Sequence, residues 1–520
     1  MHLHRIGKII FRVFLGLLIV AALLMLSAQL MAKKSIANFV ETKLPPHMQL
    51  EYKLIDVNVL TGTAKFKTID FRVQAVDSLK QGKETRLQIG SLEVIGLGYW
   101  QFLFNKKIAL KSLNIEKPIL KSYVKEKQID TNRISLSKQI HIDKIHVVNG
   151  DMVLLKEEND SLAMKLDSVN IELDDFTTND SLINSKLPVA YGSLKFDGTA
   201  LYADLGSYES LKVGKVHVGD GNITISDLKL KSKYSKTKLS WHLYKERDYI
   251  DLKIPEVSFE HIDFGYIKNR LWVSTGTGKL KGAVLEVYRD KLLPDDTERK
   301  KLYSEALRKL PIQLDIPKVE ISNGYIAYSE RVNRETPPGK IVFDDVHAEI
   351  IEVQNVPQKN EKTSVTAKAL LMGEAPITLN WSFDAKKKSD AFIASGTVKN
   401  FHSKNINSFL ESNLRVRAKG EIQELYFTIS GNSISSSGDM KMKYEDFKFS
   451  VLKKDRLRIN KLLTAIGSLF VNDGSKTDEN GYRYGSIKAE RDPTKSFFNY
   501  LWLNVGDGLT STIIGNGKKE

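Results

Sequence analysis

Ten histidines are the side chains of this sequence best suited to metal or general-base chemistry, and none stands in a His-Glu-x-x-His frame. His141 and His146 lie five apart, which on a regular strand puts them on opposite faces, as surface residues rather than ligands. Ser274-Thr-Gly276-Thr-Gly278-Lys279 has the look of a phosphate loop. A Walker loop, however, needs Gly at position 273, which is Val, and Ser or Thr at position 280, which is Leu. We read it as a strand connection. Asp473-Gly-Ser-Lys-Thr-Asp478 lacks the middle acidic positions of a calcium loop. Asp174-Asp175 and Asp344-Asp345 are adjacent carboxylates, which point opposite ways on a strand and cannot share a reacting centre; we expect them in turns. Cysteine is absent, which excludes disulfides, thiol catalysis and Cys-based metal sites. These residues predict a chain that is not an enzyme and uses no metal or cofactor.

The elements around them are more informative. Val13 to Ala32 is a run of twenty residues without a charge, enough as a helix to span a hydrocarbon core of about 30 Å. It is longer than a signal-peptide core, and Leu30-Met31-Ala32 puts Leu where a cleavage site wants a small residue. We expect an uncleaved anchor that places Val13, Leu17, Leu18, Val20, Leu23, Leu24 and Leu26 in the bilayer, with the N-terminus inside and the body outside the cytoplasm. The whole chain is 42% hydrophobic and 27% charged, which argues against disorder. A net charge of +15 is spread along the chain. Spread in this way it reads as a solvated sheet face, with attraction to anionic lipid the sharper alternative and nucleic acid not expected.

Period-two alternation dominates. It runs through Ile223–Ile225 and Leu228–Leu230, Leu239-Ser-Trp241-His-Leu243, Ile250–Ile254, Val365–Leu371, Ile377–Phe383, Leu425–Ile429 and Met440–Tyr444. One dry and one wet face is the pattern of antiparallel strands. Helices are predicted over 295–309, capped by Asp295-Asp296, over 401–410 and 455–471, and at the start of the apolar tail 497–514. Residues 472–482 read as a loop. Lys144-Ile-His-Val-Val-Asn149-Gly150 recurs as Lys215-Val-His-Val-Gly-Asp220-Gly221 and as Lys318-Val-Glu-Ile-Ser-Asn323-Gly324, with a degenerate copy at Leu113–Leu120. Asn-Gly or Asp-Gly between alternating runs predicts type I′ hairpin turns. Pro118 cannot take positive φ, so its copy must be a kink or bulge.

An N-terminal anchor, Leu110-Lys-Ser-Leu-Asn-Ile-Glu-Lys-Pro118, the repeated strands ending in Asn-Gly, and the late segment Gly420-Glu-Ile-x-x-Leu-x-Phe-x-Ile-x-Gly431 occur in this order. The order resembles that of the AsmA-like proteins, including TamB-type members, of double-membrane bacteria. The resemblance implies a mainly β protein: a transmembrane helix, then an elongated, twisted antiparallel sheet curled into a groove, with few short helices. It implies an inner-membrane, single-pass protein with a periplasmic body that binds or moves phospholipid towards the outer membrane, and it brings no catalytic residues.

Physical reasoning agrees, since a long sheet with few helices must cover its dry face by curling, and an open trough can hold acyl chains at about 0.8 kcal/mol per CH₂. Expected lining residues are Ile223, Ile225, Trp241, Leu243, Leu252, Leu379, Trp381, Phe383, Phe427 and Met442. Roughly 25–30 strands at about 4.8 Å would give a trough of about 120–145 Å. Expected segments are 1–35 (cytoplasmic tip and anchor), 36–290 and 312–451 (two parts of the groove), 291–311 (an intervening helix) and 452–520 (helices and loops, with the tail capping the sheet). The alternative is a scaffold or assembly factor for outer-membrane proteins that binds partners at a free sheet edge. A hydrolase of envelope polymers is the third reading, and the carboxylate pattern does not favour it.

Overall fold

The computed structural model describes residues 9, 11–17, 19–20, 47–58, 61–74, 83–98, 101, 104–105, 107–124, 136, 138–267, 270–356, 361–452, 477–515 and 517. Among them, 22 strands form one large, mostly antiparallel sheet, with a few short helices. Two compact units divide the chain: Met1–Asp227 with Gly265–Asn269, and Leu228–Phe264 with Arg270–Glu520.

The first unit is built on β1 (Met48–Asn58), β2 (Thr63–Gln74), β3 (Glu84–Ile95), β4 (Lys107–Val124), β5 (Gln139–Lys156), β6 (Leu162–Thr178), the short helix α1 (Asp180–Ile183), β7 (Leu194–Asp204) and β8 (Glu209–Gly219). Neighbours in sequence pair antiparallel, except for the parallel pair β4 and β5. The unit boundary falls within β9 (Asn222–Ser232). Then follow α2 (Lys236–Trp241), β10 (Asp248–Phe259), β11 (Asp263–Ile267), β12 (Arg270–Ser274), β13 (Thr277–Lys281), β14 (Val284–Asp290) and α3 (Tyr303–Arg308). The long β15 (Gln313–Arg331) runs parallel to β12, β13 and β14 in succession. Antiparallel pairing resumes through β16 (Gly339–Gln354), β17 (Thr363–Leu371), β18 (Ala375–Phe383) and β19 (Phe392–His402). A 3₁₀ turn and α4 (Asn407–Leu414) lead into β20 (Val416–Gly431), β21 (Ser435–Val451) and β22 (Arg483–Glu490), and α5 (Phe497–Ile514) follows.

The Asn-Gly expectation needs correction. Only Asp220-Gly221 is a two-residue hairpin turn, joining β8 to β9 with both φ positive, at 50° and 73°. Asn149-Gly150 and Asn323-Gly324 lie inside the unbroken strands β5 and β15, where Asn alone is left-handed, at φ 54° and 53°. A type I′ turn needs two consecutive left-handed residues, whereas one makes a bulge. Lys117, ahead of Pro118, takes φ 51° in β4, so that copy is the bulge its proline requires. The copies stack: Leu113 and Ile115 of β4 pair in parallel with Ile145 and Val147 of β5.

Each bulge adds one residue, so the buried set changes parity while staying on one face. In β5 it runs Ile140, Ile142, then Ile145, Val147, then Met152, Leu154. His141 and His146, each flanked by these buried residues, therefore share the wetter face, contrary to the regular-strand expectation. Asp175 and Asp345, at φ 55° and 47°, are likewise bulge residues of β6 and β16, not turns.

Two helical expectations and one strand expectation also shift. Residues 295–309 form a helix only at α3. Asp296 is held instead by Lys245 (2.9 Å) and Lys300, with its Oδ1 accepting from the Glu298 N–H, an arrangement that favours an open loop. Leu239-Ser-Trp241-His-Leu243 is α2 and the following turn, not a strand, with Ser235 capping the helix by accepting from Lys238 N–H. Residues 401–410 divide between the end of β19, the 3₁₀ turn and α4. Residues 455–471 and 472–476 lie outside the described residues, and 477–482 form the expected loop and turn ahead of β22. The tail is helical throughout 497–514, and Ser274–Lys279 spans the two-residue connection Thr275-Gly276 from β12 to β13.

Candidate functional site

The register of the second unit lines apolar residues up across the strands. One transverse row runs Val257, Leu280, Ile321, Ala348, Ala367, Leu379, Gly396, Phe427 and Met440. The row beside it runs Phe259, Gly278, Val319, Ile350, Val365, Trp381, Ala394, Ile429, Gly438 and Ile487. Across the bulges a third row, Leu252, Leu285, Ile326, Phe343 and Leu371, continues the same face.

One end of this face is covered by the chain's own helices. Phe497, Tyr500 and Ile513 of α5, with Leu302 and Leu307 at α3, form one core with Phe383, Phe392, Phe427, Met440, Met442 and Ile487. Glycines allow the close approach: a Cβ on Gly508 would meet Met440 Cε at 2.8 Å and Ile487 Cγ1 at 2.9 Å. Arg483, fully buried, fixes the far end of α5, donating from Nε to Thr512 O (3.0 Å) and from Nη2 to Gly515 O (2.8 Å). Its charge faces the negative end of the helix dipole. α5 also satisfies the outer edge of β22. Tyr484 N–H donates to Gly517 O (3.2 Å), Ser486 N–H to Ser511 Oγ (2.9 Å) and Lys488 N–H to Asp507 Oδ2 (2.8 Å). That edge is closed to an added strand.

Among the described residues, Leu280, Ile321, Ala348, Ile350, Val365 and Ala367 are half-buried and lie outside the cores that the helices cap, while α4 packs farther along β15 and β16, where Phe409 and Leu410 meet Tyr328 and Ile341. The reverse face carries ion pairs: Lys281 with Glu256 (2.7 Å), Lys279 with Glu260 (2.8 Å), and Lys318 with both Glu320 (2.9 Å) and Glu349 (2.6 Å). Hydrogen bonds to the two glutamates hold the Lys318 ammonium well above its usual range, and Lys318 in turn lowers Glu320. One face is thus ionic and the other apolar, which permits adsorption of an apolar ligand. Among the described residues no cluster of His, Asp or Glu is placed to hold a metal ion.

The first unit repeats the arrangement. Phe66, Leu92, Ile115, Val147, Ile171, Phe196 and Val218 form a row from β2 to β8, buried at its start and half-buried from Ile171 onward. At the buried end lie the helical residues 11–17, 19 and 20: Val13, Leu15, Leu17 and Val20 join this core, and Phe14 meets Phe176 edge-on at 5.9 Å. No helix among the described residues is long and apolar enough to cross a membrane. Leu18, Leu23, Leu24 and Leu26 lie outside the described residues.

The expected lining residues fall into three groups. Leu252 and Leu379 are half-buried members of the rows, and Ile223 and Ile225 are half-buried on β9. Phe383, Phe427 and Met442 are buried beneath the helices, and Trp381 stacks on Phe497 at 4.5 Å and 17°. Trp241 lies on α2, 76% exposed, and Leu243 sits in the turn after it, so neither is on the sheet. Sequence reasoning missed Leu280, Ile321, Ala348 and Ile350 as members of these rows: Ile321 fell in a repeat copy expected to end in a turn, Leu280 followed a segment read as a strand connection, and Ala348 and Ile350 were not among the alternating runs. No protein-family model matches this chain, and neither a curated protein nor a solved structure matches it.

Proposed function

We propose that the protein is a membrane-anchored, AsmA-like periplasmic protein of a double-membrane bacterium that holds phospholipid acyl chains on its apolar sheet face, without catalysis, in outer-membrane biogenesis. The observation that carries the reading is the set of transverse apolar rows, continuous across the second unit, whose members Leu280, Ile321, Ile350 and Val365 are half-buried and, among the described residues, outside the cores that the helices cap. A face of this kind gains about 25 cal/mol for each Å² of apolar area withdrawn from water, and lipid chains supply that cover without polar complementarity. A charged headgroup remains at the wet margin, because desolvating it costs far more. The curl of the sheet into a groove and the anchoring by Val13 to Ala32 belong to the same proposal. Val13, Leu15, Leu17 and Val20, packed here on the first unit's sheet, would exchange one apolar environment for another on entering a bilayer. The closed edge at β22 weighs against the scaffold reading at that end of the sheet.

Mass spectrometry of the full chain, extracted gently from membranes, tests this. We expect stoichiometric phospholipid in the wild type and its loss in an Ile321→Arg, Ile350→Arg variant. Both positions are half-buried, so the arginine tips reach water and the fold survives. A folded wild type without lipid, or equal lipid in both proteins, would overturn the reading.

A further inference from the structure

The segment that displaced Trp241 from the sheet has its own chemistry. Lys229 to Arg247 holds seven basic residues and one acid, Glu246. The acid is directed inward: it is buried, with Lys291 at 2.8 Å and Lys495 at 2.7 Å, while its N–H donates to Pro294 O. Leu239, 2% exposed, pins α2 from beneath, and Ser240 Oγ donates to Asp290 (2.9 Å). The aromatics point the other way, with Trp241 76% and Tyr244 94% exposed. Lys233, Lys236 and Lys238 are exposed around them. Of the neighbouring acids, Glu286 meets Lys236 at 3.5 Å between exposed side chains, Asp251 pairs with Lys231, and Asp296 and Glu298 pair with Lys245 (2.9 and 2.6 Å); within the segment, seven basic residues against one acid leave an excess of six positive charges. Indole and phenol rings partition to the boundary between headgroup and chain, and lysines beside them select an anionic surface.

We propose that α2 and the turn after it dock on an anionic lipid bilayer, with Trp241 and Tyr244 entering the interface and the lysines facing headgroup phosphates. The contact is additional to any N-terminal anchor and independent of whether the sheet face holds lipid. The chain has no cysteine, so one can be placed at will. The full chain carrying Thr237→Cys with a bimane label would be incorporated into phosphatidylglycerol-containing vesicles and into pure phosphatidylcholine vesicles, both with doxyl-lipid quencher. Ile434→Cys, at a side chain 73% exposed, serves as the control. We expect quenching at position 237 only, and only with phosphatidylglycerol. It should be lost in Trp241→Ala, Tyr244→Ala, and fall about fivefold for each of Lys233, Lys236 and Lys238 changed to Gln. A label at 237 that stays in water with every vesicle would overturn the proposal. So would equal quenching at 237 and 434, or shielding by heparin without quenching by lipid, which would mark a polyanion site instead.

Discussion

Glu305 is a carboxylate whose side chain is 5% exposed, held between Arg299 (2.7 Å) and Lys309 (2.6 Å). Those hydrogen bonds, Arg299 first, bring its pKa from 4.5 down to about 2. A depressed carboxylate contributes stability that is complete above pH 4.5 and is lost as the pH falls through about 2. Discounted for the half-exposed Arg299 and Lys309, the contribution is on the order of 2 kcal/mol. Glu305→Gln should be less stable by that amount at neutral pH and should show a flatter loss of stability between pH 4.5 and 2 in urea titrations. Parallel curves for the two proteins would contradict the assignment. At this scale the sequence was only partly readable. Leu239-Ser-Trp241-His-Leu243 alternates as cleanly as Ile377–Phe383, but Leu239 and Leu243 are also four apart, which is helical spacing, and five residues cannot separate the two periods. Only the buried Leu239 and the Ser235 cap decide it. Trp381, on a longer alternating run, was placed correctly on a strand. That it stacks on Phe497 depends on a helix more than a hundred residues away in sequence.

Strands were legible as a class and illegible in detail for one reason: single left-handed residues recur inside them. Asn149, Ser168, Asp175, Asn323, Asp345 and Asp446 are all such points. Each shifts the parity of the buried set, so counting by twos from one end assigns the far end to the wrong face; His141 and His146 come to share a face because β5 changes parity between Ile142 and Ile145, opposite the left-handed Asp175 of β6. The short polar residues that favour this conformation are also those that favour turns, which is why Asn323-Gly324 resembled a hairpin. If backbone conformation is the requirement at Asn323, Asn323→Gly should stay within about 0.5 kcal/mol of the wild type, and Asn323→Val should lose about 1–2 kcal/mol. Chemical denaturation reads both. Equal losses would mean that the Asn side chain, not its φ, holds the bulge.

Among the described residues of each unit, helical segments cover one part of an apolar sheet face, and another part stays half-buried outside the cores they cap. Alternation in the sequence predicted the dry face. It could not tell which stretch a helix would cover, because α5 and the residues beneath it are equally apolar and meet only through the register of β18 to β22. The account rests on the half-buried stretch being where lipid sits. The most direct measurement is photocrosslinking in living cells with benzoylphenylalanine at Ile350 on the half-buried rows, Ile487 beneath α5 and Glu349 on the ionic face, followed by mass analysis of the adducts. The account predicts phospholipid adducts at position 350 and none at 487 or 349. Protein adducts alone at 350, or lipid adducts equally at all three, would contradict it.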